Sequence, residues 1–176
     1  MRSFKNNRTF SMFSKELIWS SFAKELHIIK HLATKVPAGK EHHKPTEKQR
    51  TTLELIQYLS IMGVALLRVY LEENPKAFGE YTERSKGVTI ENFGEMMDKQ
   101  ESEMKEVFAK FTDAELNKEI ELWGMKGTKA MFLLNTLKML TGYKMQLFLY
   151  AKASGNHTLG TSNVWAGMDM PAPAAH

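Results

Sequence analysis

An all-α fold, a four-helix bundle, is what this sequence predicts, and three observations carry it. Long stretches of helix formers recur with apolar residues at helical spacing. No alternating apolar/polar pattern of any length marks a strand. The most extended stretch, Thr128 to Ser154, runs without proline between a candidate N-cap threonine and Gly155, a residue suited to ending a helix. At roughly seven turns it exceeds the average globular helix and can cross a whole domain.

The chain has 176 residues, 43% of them hydrophobic and 25% charged, with a net charge of +4. Those values describe one globular domain with a sizeable core. Within it, residues 1–12 read as a basic arm and 156–176 as a tail that docks or is partly disordered. There is no cysteine. That excludes a disulfide framework, a thiolate metal site and a cysteine nucleophile. Lysines alternate with glutamates at helical spacing, so the positive balance reads as a solvated surface and not a nucleic-acid patch. No uninterrupted apolar run reaches the roughly 18 residues of a membrane span. With no secretory signal pattern either, the cytoplasm is the expected location.

The first helix is expected from Phe13 to Lys35, stopping ahead of Pro37. Ile18, Phe22, Leu26, Ile29 and Ala33 form its apolar stripe. His27 and His31 stand four apart on the opposite side, flanked by Leu17, Ile28 and Leu32. This second face is expected to meet another copy of the chain in a homodimer. A metal on the two histidines is the weaker alternative, since no third ligand is placed beside them. Residues 36–50 form a loop. Thr51 with Glu54 makes a capping box that opens the second helix, which runs to about Glu73. Apolar residues cover most of its circumference, so neighbours must enclose it.

Residues 74–88 are expected to be a loop. The third helix begins after Thr89 and runs to about Phe111. Ile90, Phe93, Met96, Met97, Met104, Val107, Phe108 and Phe111 share a face, and Gln100 sits within it, either at its edge or as a core amide paired to the fourth helix. Thr112 with Glu115 is a second capping box, on a short turn. Lys118 to Lys126 looks extended. In the fourth helix, Lys138, Lys144 and Lys152 fall in one sector, expected to face water. Phe132, Met139, Tyr143 and Tyr150 lie opposite, with Asn135 and Gln146 beside them, expected to face inward. Trp165 implies that the middle of the tail docks.

KHLATKVP, PTEKQRTTLELIQYLS, GYKMQLFLYAKASGN and the ending LGTSNVWAGMDMP together resemble the DinB/YfiT-like family of bacterial four-helix bundles. In members with known chemistry a divalent metal is held by a histidine on the second helix and two histidines, four apart, on the fourth. Some are thiol-dependent transferases. The resemblance places those positions on Tyr58, Met139 and Tyr143, which are poor ligands for zinc or nickel. It therefore implies a bundle of this type whose metal site is lost, and no cofactor is expected. Tyr58, Met139, Tyr143 and Gln146, with Gln100, form the candidate pocket, in which hydrogen bonds would replace the metal. The expected role is a non-metal small-molecule-binding, structural or stress-related protein with an unidentified small molecule as partner. The alternative is a metal- and thiol-dependent transferase using a non-standard site.

Overall fold

The computed structural model describes residues 14–170; the basic arm of 1–12 and the last six residues of the tail lie outside that range. Seven helices and one hairpin follow in order: α1 (Lys15–Ala33), α2 (Thr52–Leu71), α3 (Ala77–Ser85), α4 (Phe93–Ala109), α5 (Asp113–Leu116), β1 (Glu119–Leu122), β2 (Met125–Thr128), α6 (Lys129–Ala153) and α7 (Thr161–Ala166). Helices α1, α2, α4 and α6 form the bundle. Both α1 and α2 pack against α4 and α6, so α1 and α2 stand on a diagonal and the long connection 34–51 crosses it.

Local chemistry sets the starts. The hydroxyl of Thr51 accepts from the Glu54 amide while Glu54 accepts from the Thr51 amide, the reciprocal pair of a capping box. Thr112 and Glu115 repeat it at α5. The Thr128 hydroxyl accepts from the Met131 amide at the start of α6. The apolar stripe of α1 is buried along its whole length, from Ile18 through Ala33.

Three segments carry more structure than their sequence predicts. Within 74–88, Ala77, Tyr81 and Ser85 recur every four residues and are buried, giving α3 a face against α2. Tyr81 explains its stability: its hydroxyl donates to Glu103 of α4 and accepts from Arg68 Nε of α2 at 2.9 Å. The stretch after Asn117 closes into an antiparallel hairpin, Glu119 opposite Thr128. Trp123 and Gly124 both take left-handed φ angles of 52° and 75°, the geometry a two-residue hairpin turn needs. Its strands are too short for alternation to register in the sequence. In the tail, α7 packs on α1 and α6.

By length and composition α2 is apolar enough to cross a membrane, with a mean hydropathy of 1.4 over an 18-residue window, but 72% of that window is buried by the chain itself. A helix enclosed on nearly all sides needs the same apolar composition as one enclosed by lipid.

The inward face of α6 is rotated from expectation. Lys144, placed on the wet sector, is 0% exposed, whereas Met139 is 37% exposed and Asn135 is exposed. The reason is that α6 touches both α1 and α2, so its apolar residues cover two faces and blur the wheel. Lys144 is tolerated inside because Glu25 of α1 lies 2.9 Å from its Nζ, with the Trp165 ring centred 4.6 Å away. Gln100 is a core amide, 2% exposed, but it pairs with α2 and not with α6. Its Oε1 accepts from the Gly63 amide at 2.9 Å and its Nε2 donates to the Leu59 carbonyl at 2.9 Å. Those two backbone groups are four residues apart, the spacing that bonds within an α-helix.

On the second face of α1, Ile28 and Leu32 are buried within the chain, where α7 packs on this helix, while Leu17, at 51%, and His27 stay exposed.

Two stability experiments follow. Glu25→Ala strands a buried ammonium and should cost about 3–5 kcal/mol in urea unfolding, while Glu25→Met/Lys144→Met together should cost far less. Equal losses in the two would mean the pair is not desolvated. Gln100→Leu removes both bonds to α2 and should cost about 1–3 kcal/mol; an unchanged midpoint would show that water replaces the amide.

Candidate functional site

The best-formed polar and aromatic cluster lies where the N-terminal end of α2 meets α6. Arg50 precedes the capping threonine, and its carbonyl accepts from the Tyr150 hydroxyl at 3.1 Å. That hydroxyl accepts in turn from Gln146 Nε2 at 2.6 Å. The backbone of Arg50 is therefore tied to α6 on one side and to the cap of α2 on the other. Its guanidinium rests against two rings, with Cζ 4.5 Å from the centre of Tyr58 and 5.6 Å from that of Tyr143. The two tyrosines meet edge to face with centroids 5.1 Å apart, and Phe78 of α3 lies 6.3 Å from Tyr58. Burial, and then the neighbouring Tyr143, push the Tyr58 hydroxyl up to about 12, with Arg50 opposing.

Arg50 has no carboxylate or hydrogen-bond acceptor for its side chain among the described residues. Glu54 is near enough for Arg50 to lower its pKa, behind the larger effect of its bonds to Thr51. Its Oε2 accepts from the Thr51 amide at 2.7 Å, and it forms no ion pair with the guanidinium. Beside Arg50 a groove of about 310 Å³ runs between α2 and α3, floored by Tyr58, Ile61 and Phe78. On the other side of the cluster, a second groove of about 520 Å³ follows α6 past Gln146, Leu149 and Tyr150.

Of the residues singled out in the sequence, the fold brings Tyr58 and Tyr143 into ring contact. Gln146 lies one turn away and serves Tyr150. Met139, a turn before Tyr143, is partly exposed. Gln100 is elsewhere, between α4 and α2, and takes no part in the cluster. Tyr150 was expected to face inward and does, at 2% exposure, whereas Arg50 and Phe78 were not singled out. Only Arg50 left a trace, as a cation directly ahead of the capping box.

The donor set at Tyr58, Met139 and Tyr143 does not fit a zinc or nickel ion. It offers a thioether and two phenols, one held protonated far above neutral pH, with a fixed guanidinium over the rings where a second cation would be repelled. The histidine pair of α1 is engaged by the tail. His31 Nε2 is 3.2 Å from Asn163 Nδ2 and 3.7 Å from Asp169, which also takes Lys35 at 2.6 Å. His27 lies against Gly167, where an added Cβ would come within 2.9 Å of its ring. Gly167 has a left-handed φ of 66°, so this close approach needs glycine twice over. Among the described residues no three His, Asp or Glu side chains converge.

No protein-family model matches the chain, and no curated protein matches it. Its architecture is nevertheless that of a known class, the DinB-like helical bundles. A crystal structure of a DinB-like protein from Bacillus subtilis superposes with a TM-score of 0.66, covering 79% of this chain and 92% of that one at 21% identity. The likeness is one of fold.

The tail contact has a pH signature. Burial first, then Lys35 and His27, lower the His31 pKa below 6.5, with Asp169 opposing. The folded state thus favours the neutral ring. The contribution is complete above pH 6.5 and is lost as the pH falls from there through the folded pKa. Acidification across that window should loosen α7, read as a change in Trp165 fluorescence with the other two tryptophans replaced by Phe. His31→Gln should flatten the change; a profile unaltered by that substitution would remove His31 as its source.

Proposed function

We propose that this chain is a non-metal, small-molecule-binding bundle of DinB-like fold, with its site at the tyrosine pair Tyr58 and Tyr143. The observation that supports this reading is Arg50. Its guanidinium is exposed, lies over the rings of Tyr58 and Tyr143 at the edge of a groove, and has no protein acceptor among the described residues, so its donors are open to a ligand in exchange for water. The groove is mixed: Tyr58, Ile61 and Phe78 give it an apolar part, and Arg50, Glu54, Gln57, Thr82, Ser85 and Lys86 line the rest. The groove volume of about 310 Å³ suits a small ligand. Tyr58, with its hydroxyl pushed up to about 12, is protonated at neutral pH, and the two rings serve here as apolar surfaces.

The test is a fragment panel of neutral, cationic and anionic compounds screened by protein NMR. Binders should shift the signals of Arg50, Tyr58 and Phe78 and raise the melting temperature, since a ligand of the folded state alone stabilises it. Tyr58→Ala should abolish those shifts while the chain stays folded. If every binder maps away from this cluster, or none binds, the reading fails.

A further inference from the structure

Building on that reading, we infer that the groove between α2 and α3 selects an organic carboxylate, with the acid group on Arg50 and an apolar body over Tyr58, Ile61 and Phe78. Four features of the site converge on this class.

The first is the charge. The guanidinium touches the rings through its carbon face at 4.5 and 5.6 Å, and its N–H donors meet no acceptor among the described residues. A planar carboxylate matches that fork with two parallel hydrogen bonds. The second is immobilisation. Both neighbours of the Arg50 side chain along the backbone are pinned, its own carbonyl by Tyr150 and the following residue by the capping box. That fixes the backbone under Arg50, and the exposed side chain is held by its contact with the two rings alone.

The third is the rest of the groove. Ile61 is buried and Phe78 half-buried in it, while the Gln57 NH2 donates to the carbonyls of Lys86 and Val88 and the Thr82 and Ser85 hydroxyls donate to the carbonyls of Phe78 and Thr82. The apolar part of the ligand therefore belongs there. The fourth sets the charge number. Glu54 borders the same groove and carries a carboxylate near Arg50, and Lys86 on the opposite wall is already paired with Glu83 at 2.5 Å. The Glu54 carboxylate opposes any anion at Arg50, and a doubly charged phosphate more strongly than a monoanion.

Calorimetric titration of the full chain with phenylacetate, its neutral analogue 2-phenylethanol, and phenyl phosphate tests the inference. Phenylacetate should bind at least tenfold more tightly than the alcohol and no more weakly than phenyl phosphate. Arg50→Met keeps the length of the side chain and removes its charge; it should erase the preference for the acid over the alcohol with the far-UV circular dichroism unchanged. The comparison of acid with alcohol on the unaltered chain needs no variant and stands even if Arg50→Met misfolds. Equal affinities for acid and alcohol, or a preference that survives Arg50→Met, overturn the inference. Tenfold tighter phenyl phosphate overturns it in favour of phosphate esters. If none of the three binds at about 10 mM while panel fragments still map to Tyr58, the carboxylate inference fails and the site reading stands; if nothing maps there, both fail.

Discussion

The fold depends on a single constraint: α2 is apolar around almost its whole circumference and has to be enclosed. From Leu55 to Leu71 nearly every side chain is buried. At roughly 25 cal/mol per Å² of apolar surface, leaving such a helix open would cost more than a domain of this size has in net stability. Helices α4 and α6 cover two sides and α3 covers a third. This is why the segment 77–85 forms a helix despite its polar average, and why α1 stands on the diagonal. Wherever the enclosure reaches a polar group, a long side chain from a neighbour satisfies it. Gln100 does so at Leu59 and Gly63. Lys129 does so at the far end, donating to the Leu71 carbonyl at 2.8 Å, where a cation also suits the end of the helix dipole.

The same logic governs α6. Its residues contact two helices at once, so no single wet stripe remains on it. Lys144 shows the consequence. A lysine in the interior is stable only with its charge met, and Glu25 and the Trp165 ring meet it from α1 and from the tail. The tail is thereby part of the domain, and it packs against the histidine-bearing side of α1.

At the opposite polar feature, the Arg50 cluster, the chemistry is organised around a cation and not around ligands for one. Two phenol rings, a thioether and a guanidinium cannot act as a Lewis-acid centre through a divalent ion. They can present a directed positive charge at the edge of a groove. The bundle keeps rigid elements around this corner: α2 capped by Thr51, α6 bonded across to the Arg50 carbonyl through Tyr150, and α3 held to α2 and α4 by Tyr81.

Much of the architecture was legible from the sequence because its causes are local. A capping box joins residues three apart, so Thr51 with Glu54 and Thr112 with Glu115 announce themselves wherever they occur. The buried stripe of α1 follows from helical periodicity, and the bundle follows from four such stretches. Tyr58 and Tyr143 could be singled out by position as well. What only the tertiary structure decided are pairings between residues far apart in the chain: Lys144 with Glu25, Gln100 with the backbone of α2, His31 with Asn163, and Arg50 with two rings from different helices. A wheel counts apolar residues and assigns charge to water. It has no knowledge of a carboxylate on another helix that makes burial of a lysine tolerable, because that free energy exists only once the helices have met.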